Sequence, residues 1–338
     1  MSEQLDGALE TERLGQALLS SGGKPRYEDL RRYCLQCRLN MLRPGRPLYH
    51  LGTLLIDQYF HSLPNKEAWE ILEEVFLAAL ECGEHAKAQE YLAKMIKKFG
   101  SSSARVSRLN GMLLEAKGQF ISALEIYNSL LEKDETDSFS MKRKIAIFIG
   151  EGKYKAAVSL LNEYLGVFST DNEAWGELSH LYLRMNMFEN AAYCYEELIL
   201  SDPQNYHYYT KYAEIKYTQG GLENLQTALN YFSSSIELCQ ENNLTAFYGL
   251  ILAVDAITAR NPNCVILHEG TPVAEWAKAE IKKKYEKAPK DIQEVVFASL
   301  EVLETSTLPK SKAPAKVEEK KVIELKKGIL PKQKPKKK

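Results

Sequence analysis

Five alanines recur along the chain at a nearly constant spacing. They are Ala88, Ala123, Ala157, Ala191 and Ala228, and the intervals between them are 35, 34, 34 and 37 residues. Four positions after each alanine stands a large apolar residue: Leu92, Tyr127, Leu161, Tyr195 and Phe232. Positions i and i+4 share one face of an α-helix, so each pair predicts a helix with a small contact point beside a bulky one. The spacing predicts a chain of repeated helix pairs, each buried against the next.

One segment fills the repeat almost completely. Residues 172–205 read NEAWGELSHLYLRMNMFENAAYCYEELILSDPQN. The residues that match the tetratricopeptide repeat (TPR) pattern are Trp175, Leu178, Ser179, Tyr182, Ala191, Tyr195, Leu198 and Pro203. The sequence therefore predicts an all-α fold, a TPR-type helix-turn-helix solenoid wound into a right-handed superhelix.

The pattern weakens toward both ends of the chain. We expect the solenoid over residues 26–305, with clear repeats at about 69–242 and degenerate repeats outside them. Residues 1–25 are expected to be flexible or partly helical. No segment shows the strict alternation of a half-buried strand, so no β-sheet is predicted.

Charge is divided unevenly along the chain. Residues 309–338 hold twelve lysines against three glutamates, a net charge of +9, which leaves −10 on the first 308 residues. Residues 306–338 also contain four prolines and few apolar side chains, which predicts a disordered, lysine-rich tail. We expect this tail to be solvated or to make weak contacts with anionic lipid or RNA, and its composition also suits a nuclear-localisation signal.

The composition argues against a membrane-spanning or secreted protein. The longest apolar run, Phe247 to Val254, ends at Asp255, well short of the ~18 residues that a membrane span needs. The acidic first residues lack the basic and apolar regions of a secretory signal. Six scattered cysteines fit reduced thiols, so we expect a cytosolic or nuclear protein.

Motifs for metal binding and catalysis are weak. Cys34 and Cys37 form the single C-x2-C, and His50 and His61 follow. Ten residues separate these histidines, whereas zinc-binding pairs are separated by about three to five, so we favour structural thiols on a helix. No intact phosphate-binding loop, HExxH or GxSxG motif occurs. We expect no enzymatic activity, cofactor, metal or small-molecule substrate.

The first helix of each TPR unit, helix A, turns one face toward the inside of the superhelix. With helix A numbered from residues 104, 138, 172, 206 and 244, its positions 2, 5, 9, 12 and 13 lie on that concave face. The candidate partner-binding residues at these positions are Arg105, Arg108, Met112, Lys142, Ile149, His180, Leu183, His207, Tyr217, Tyr248 and Leu252. Such a groove suits a helix or an extended peptide.

The same eleven residues could also have a purely structural role or simply be solvated. Apolar members of the set would also fit packing against neighbouring helices, and the basic members would fit plain solvation. We expect Arg108 and Lys142 to be exposed, so that reversing their charges leaves the folded state nearly unchanged in stability.

Tyrosines cluster between residues 206 and 217, which would suit stacking on RNA bases. Tyr209 and Tyr212, however, fall at inward positions of the repeat, so we expect them in the core. The negative charge of the chain before the tail also disfavours a phosphate backbone.

Several segments resemble one family of TPR proteins. They are RLNGMLLEAKGQFISALEIYNSLLEKD, KRKIAIFIGEGKYKAAVSLLNEYL, DNEAWGELSHLYL and YAEIKYTQGGLENL, the last with an inserted turn at residues 220–224. They resemble subunit 2 of the endoplasmic reticulum (ER) membrane protein complex over residues 65–255, and more weakly from 27 to about 303. The basic tail departs from this family pattern.

The resemblance implies a non-catalytic scaffold, peripheral on the cytoplasmic face of the ER membrane. Its partners would be the membrane-embedded and soluble subunits of the complex, whose cytosolic segments it would hold. The complex would insert tail-anchored and multi-pass membrane proteins.

A TPR co-chaperone that binds acidic chaperone C-termini is the alternative. Such a clamp needs Lys, Asn and Arg at matching positions of three successive repeats. Here Arg108 and Lys142 are followed by Gly176, and position 9 of helix A never holds Asn. The sequence therefore favours the scaffold.

Overall fold

In the computed structural model the chain forms two compact units, Met1–Lys153 and Tyr154–Lys338. The structure describes residues 2–20, 25–262, 264–268, 271–305 and 321–324. Within these ranges helices predominate, and the TPR-type all-α prediction is confirmed.

The first unit consists of helices in the described residues. They are α1 (Ser2–Ser20), α2 (Tyr27–Leu39), α3 (Gly45–Tyr59), a 3-10 turn (Phe60–Ser62), α4 (Asn65–Glu81), α5 (His85–Phe99), α6 (Ala104–Ala116), α7 (Phe120–Leu131) and α8 (Ser138–Gly150). The start of the chain, predicted as flexible or partly helical, is α1, and residues 21–24 lie outside the described ranges.

The second unit adds short strands to its helices. The helices are α9 (Tyr154–Val167), α10 (Asn172–Arg184), α11 (Phe188–Ser201), α12 (Tyr206–Gln219), α13 (Leu222–Leu238), α14 (Leu244–Arg260), α15 (Val273–Tyr285) and α16 (Lys290–Thr305). The strands are β1 (Cys264–His268), β2 (Thr271–Pro272) and β3 (Lys321–Glu324).

The periodic alanines lie where the sequence predicts. All five have 0% of their surface exposed, and the large residues four positions later are at most 5% exposed. Each alanine stands in the second helix of its repeat, helix B, where a small side chain lets a neighbouring helix approach closely. The repeat prediction is therefore confirmed at the level of individual side chains.

Helices α6, α7 and α8 share a further contact around Tyr127. A Cβ atom on Gly111 of α6 would lie 2.7 Å from the Tyr127 ring of α7, so the ring packs directly on the glycine backbone. The Tyr127 hydroxyl donates a hydrogen bond of 2.5 Å to Glu115 of α6, and Arg143 of α8 also binds this carboxylate. Burial and the Glu115 carboxylate both raise the pKa of Tyr127, which stays neutral.

The turns between paired helices repeat as well. Gly83, Gly118 and Gly152 have φ angles of 77°, 74° and 73°, and Asn186 takes the equivalent place with a φ of 58°. This left-handed conformation ends a helix and turns the chain back, and glycine or asparagine adopts it at the lowest cost.

A small sheet in the second unit overturns the prediction that the chain has no strand. β1 pairs in antiparallel fashion with β2 and in parallel with β3, with Cys264 opposite Lys321 and Leu267 opposite Glu324. Cys264 and Ile266 are buried on one face of β1. The apolar run at residues 264–267 has four residues, too few to distinguish a strand from a buried helical segment by pattern, so sequence analysis misses β1.

The sheet also bears on the predicted tail. Residues 321–324, placed by the sequence in a disordered segment, form β3, so the structure differs from the prediction at these four positions. The rest of the tail, residues 306–320 and 325–338, lies outside the described ranges.

A leucine at an alanine contact should destabilise its repeat. We expect Ala191→Leu to lower the free energy of unfolding by about 1 to 3 kcal/mol, because the fully buried site has no room for three more carbon atoms. Ala93→Leu, at an exposed position of α5, is the matched control and should change stability by less than about 0.5 kcal/mol. Urea denaturation followed by circular dichroism measures both, and equal midpoints would contradict the packing argument.

Candidate interaction surface

The predicted surface residues divide between the two units. Arg105, Arg108 and Met112 lie on α6, while Lys142 and Ile149 lie on α8. In the second unit His180 and Leu183 are on α10, His207 and Tyr217 on α12, and Tyr248 and Leu252 on α14. All of them therefore belong to A helices, as the repeat numbering requires.

Arg108 is a structural residue as well as a surface candidate. Its Nε lies 3.1 Å from Oδ2 of Asp137, and a terminal nitrogen lies 3.0 Å from Oδ1. Asp137 is buried at the start of α8, where its carboxylate also accepts a 2.7 Å hydrogen bond from the Ser140 hydroxyl. The guanidinium lies 5.7 Å from the centre of the Phe139 ring. Arg108 thus joins α6 to the N-terminus of α8.

The expectation of an exposed charge is therefore wrong for Arg108, since only 33% of its side chain is exposed. Arg105 differs: it pairs with Glu73 of α4 but keeps 65% of its side chain exposed. Lys142 and Ile149 are half-buried. Met112 packs against the apolar core of the first unit, so for this residue the packing interpretation holds.

Three predicted residues meet in a cleft of about 500 Å³ in the second unit. We call it the Tyr248 cleft. Its lining residues come from α12, α13 and α14: Glu214, Tyr217, Thr218, Phe232, Leu244, Thr245, Tyr248, Gly249 and Leu252. His180, Leu183 and His207 do not line it. The His207 ring instead contacts the ring of Tyr206, at a centroid distance of 4.0 Å.

The Tyr248 cleft owes its shape to a close helix contact. A Cβ atom on Gly249 would lie 2.4 Å from the Phe232 ring, so this ring packs on the backbone of α14. Phe232 is buried, whereas Leu252 at the side of the cleft is 38% exposed. Sequence reasoning missed Gly249, although a glycine inside an apolar helix signals a close approach.

The cleft is mostly apolar. Its one carboxylate, Glu214, pairs with Lys211 at 2.8 Å. Within the described ranges, the hydroxyls of Tyr217 and Tyr248 have no hydrogen-bond partner. Tyrosines with an apolar ring and an unpaired hydroxyl are frequent anchors of protein interfaces. The cleft therefore suits an apolar side chain next to a hydrogen-bonding group.

The tyrosines proposed for the core are confirmed there. Tyr209 is 2% exposed and Tyr212 is 5% exposed. The Tyr212 hydroxyl donates a 2.8 Å hydrogen bond to Glu196 of α11, and its ring lies 4.4 Å from that of Tyr231. Neither ring has a free face for a nucleic-acid base.

The cysteines of the C-x2-C are buried thiols on α2. Burial raises the pKa of Cys34 to about 12 and that of Cys37 to about 11. A metal ligand must be a thiolate, so these side chains are poorly suited to zinc. Across the described ranges, no group of three or more His, Cys, Asp and Glu residues could hold a metal ion. No described helix is both long and apolar enough to cross a membrane.

Comparison with known proteins agrees with the fold. The C-terminal part of a TPR repeat-containing protein from Cytophaga hutchinsonii superposes with a TM-score of 0.51, covering 78% of this chain and 98% of that one at 17% identity. The paired helices, the turns between them and the buried alanines define a TPR-type repeat protein.

Sequence comparison is more specific. The family described as the EMC2 TPR-like repeat domain matches residues 90–235. ER membrane protein complex subunit 2-A of Xenopus laevis is 38% identical over 290 residues, covering 84% of this chain and 96% of that protein. The subunit 2 of Dictyostelium discoideum is 32% identical over 302 residues, covering 84% and 93%. The chain belongs to the ER membrane protein complex subunit 2 family.

The Arg108 contact can be tested by charge reversal. Arg108→Glu removes the cation that neutralises buried Asp137 and adds a second carboxylate beside it, so we expect a loss of about 2 to 4 kcal/mol in the free energy of unfolding. Arg105→Glu, three residues earlier on the same helix, should cost no more than about 1 kcal/mol because 65% of the Arg105 side chain is exposed. Thermal melting and urea titration compare the two variants, and equal stability would contradict the structural role of Arg108.

The buried thiols allow a second test. In the folded protein at pH 8, Cys34 and Cys37 should resist iodoacetamide, because a pKa of about 12 or about 11 leaves only ~0.1% or less as thiolate. Half-buried Cys239 should react sooner, and all six cysteines should react in urea. Peptide mass spectrometry measures the modification. Rapid labelling of Cys34 in the folded state, or unfolding by a chelator, would contradict this arrangement.

Proposed function

We propose that this protein is a non-catalytic scaffold subunit of the ER membrane protein complex. The observation that carries the proposal is the match to named subunits of that complex over 84% of this chain and 96% of the relative. In this role the protein holds cytosolic segments of membrane-embedded subunits and contacts the soluble ones. It thereby supports the insertion of tail-anchored and multi-pass proteins.

The Tyr248 cleft is the docking point we propose for one such segment. An apolar side chain of the partner would enter between Tyr217 and Leu252, above the Phe232 ring. The hydroxyls of Tyr217 and Tyr248 would bind the partner's backbone or polar groups. Rigid aromatic anchors around a small apolar recess are where interface energy is usually concentrated.

We also place the protein on the cytoplasmic face of the ER membrane. All six of its cysteines are free, and four of them are buried. Free thiols are typical of proteins in a reducing compartment, whereas the ER lumen favours disulfides.

The co-chaperone alternative has less support. Arg108 is one of the cations that a carboxylate clamp would use, and it already neutralises Asp137. An acidic chaperone terminus would have to compete with this buried carboxylate.

Affinity purification of the tagged full-length chain in mild detergent, followed by mass spectrometry, tests the scaffold role. We expect membrane-embedded subunits of the complex among the copurifying proteins. Recovery of soluble chaperones without any membrane subunit would overturn the proposal in favour of the co-chaperone.

A substitution in the Tyr248 cleft tests the docking point. Leu252→Glu should reduce copurified membrane subunits by about tenfold, because a charge in an apolar recess costs more than ~1.4 kcal/mol of binding energy. The control is Leu238→Glu at the end of α13, where the leucine is 40% exposed against 38% for Leu252 but lies outside the cleft. Both variants should melt at similar temperatures. Unchanged capture by Leu252→Glu would exclude this cleft as the docking point.

A further inference from the structure

The first unit has its own open cleft, of about 710 Å³, which we call the Trp69 cleft. The end of α3, the following 3-10 turn and the basic side of α5 surround Trp69. The lining residues are Ile56, Asp57, Gln58, Phe60, His61, Ser62, Trp69, Glu90, Lys94, Lys97 and Lys98. Most of these residues lie on the B helices α3 and α5, while Trp69 comes from the A helix α4. None of the predicted surface residues lines this cleft.

Trp69 contacts two other aromatic rings: Phe60, which lines the cleft, and Phe99, which does not. Phe60 and Trp69 meet edge to face with their centroids 5.2 Å apart, and Trp69 meets Phe99 in the same way at 5.1 Å. The indole N–H of Trp69 donates a 3.0 Å hydrogen bond to Asn65. Because its polar atom is already paired, the half-buried indole offers an apolar surface to a ligand.

The carboxylates in the cleft are neutralised by neighbouring lysines. Lys87 lies 3.1 Å from Asp57 and 3.0 Å from Glu90, and Lys94 lies 3.0 Å from the other oxygen of Glu90. Hydrogen bonds from Lys87 and Lys94 lower the pKa of Glu90, which stays ionised and paired. Neither carboxylate is left to attract a cationic ligand.

Two lysines remain without such a partner. Lys97 and Lys98 are exposed in the last turn of α5, and neither has a carboxylate within ion-pair distance in the described part of the chain. The cleft therefore combines an aromatic floor with an uncompensated positive edge. A ligand of this cleft should carry an apolar side chain and, within a few residues of that side chain, negatively charged groups.

We propose that the Trp69 cleft binds a short acidic segment of a partner protein that inserts one large apolar side chain, Phe or Leu, against Trp69. Aspartate or glutamate residues flanking this anchor pair with Lys97 and Lys98. A nucleic acid fits less well, because binding its backbone takes a basic groove that follows several phosphates, whereas this cleft offers two uncompensated lysines. This proposal does not rest on the proposed function, and the two can fail independently.

The test measures binding of a labelled peptide to the full-length chain. The probe is a fluorescein-labelled peptide of about twelve residues in which Leu-Phe is flanked on both sides by three Asp or Glu residues, titrated by fluorescence anisotropy. We expect a micromolar Kd that weakens as salt rises. Replacing Leu-Phe by Ser-Ser, or the acidic residues by Asn and Gln, should each weaken binding by about tenfold or more.

A matched pair of variants locates the site. Lys97→Glu with Lys98→Glu should weaken binding by about tenfold or more without lowering the melting temperature, since both side chains are exposed. The control is Lys282→Glu with Lys283→Glu, two adjacent lysines in the last turn of α15, which should change Kd less than about twofold. Both double variants change the charge in the last turn of a helix by the same amount. A difference between their Kd values therefore shows that the peptide binds at the Trp69 cleft.

Incorporation of 5-fluorotryptophan gives an independent readout, because the chain has only three tryptophans. Peptide binding should shift the 19F resonance of Trp69 and leave those of Trp175 and Trp276 in place. The proposal is overturned if the peptide does not bind at 1 mM, if the Lys97 and Lys98 reversal leaves Kd unchanged, or if the Ser-Ser peptide binds equally well. Tighter binding of a single-stranded oligonucleotide at the same lysines would also overturn it, in favour of a nucleic-acid site.

Discussion

A helix pair in this protein depends on one point where a side chain is small enough for two backbones to come close. The buried alanines provide that point in the B helices, and Gly111 and Gly249 provide it in A helices against Tyr127 and Phe232. At each glycine, the aromatic ring of the facing helix fills the space that a Cβ atom would occupy. Because this fit recurs every 34 residues or so, helices within each unit are positioned by their sequence neighbours more than by distant parts of the chain.

Much of this could be predicted from the sequence, because it depends on local periodicity. The alanine series, the burial of Tyr209 and Tyr212 and the placement of the candidate residues on A helices all follow from counting positions. The predictions failed where a residue's environment is set by an element outside its own helix pair. Its position in the repeat predicts that Arg108 is exposed. In the structure Arg108 pairs with Asp137, which stands at the start of the next repeat.

The candidate surfaces show the same division. Tyr217, Tyr248 and Leu252 could be identified from their positions, yet the cleft they form also depends on how closely Phe232 approaches Gly249. Most lining residues of the Trp69 cleft lie on the B helices α3 and α5, which the A-helix numbering does not consider. Its uncompensated charge becomes apparent only when the ion pairs of Asp57, Lys87 and Glu90 are known in three dimensions.

The pairing of β1 with β3 should form later in folding than the helix pairs of the second unit. Helix pairs join residues that are close in sequence, whereas Cys264 and Lys321 are joined across more than fifty residues. Closing a loop of that length costs more chain entropy than forming a helical hairpin, and β3 pairs with β1 over four residues. We therefore expect β3 to join the sheet after the helices have packed and to leave it first when the protein is stressed. In hydrogen exchange its amides would then be the least protected of any strand or helix in the second unit.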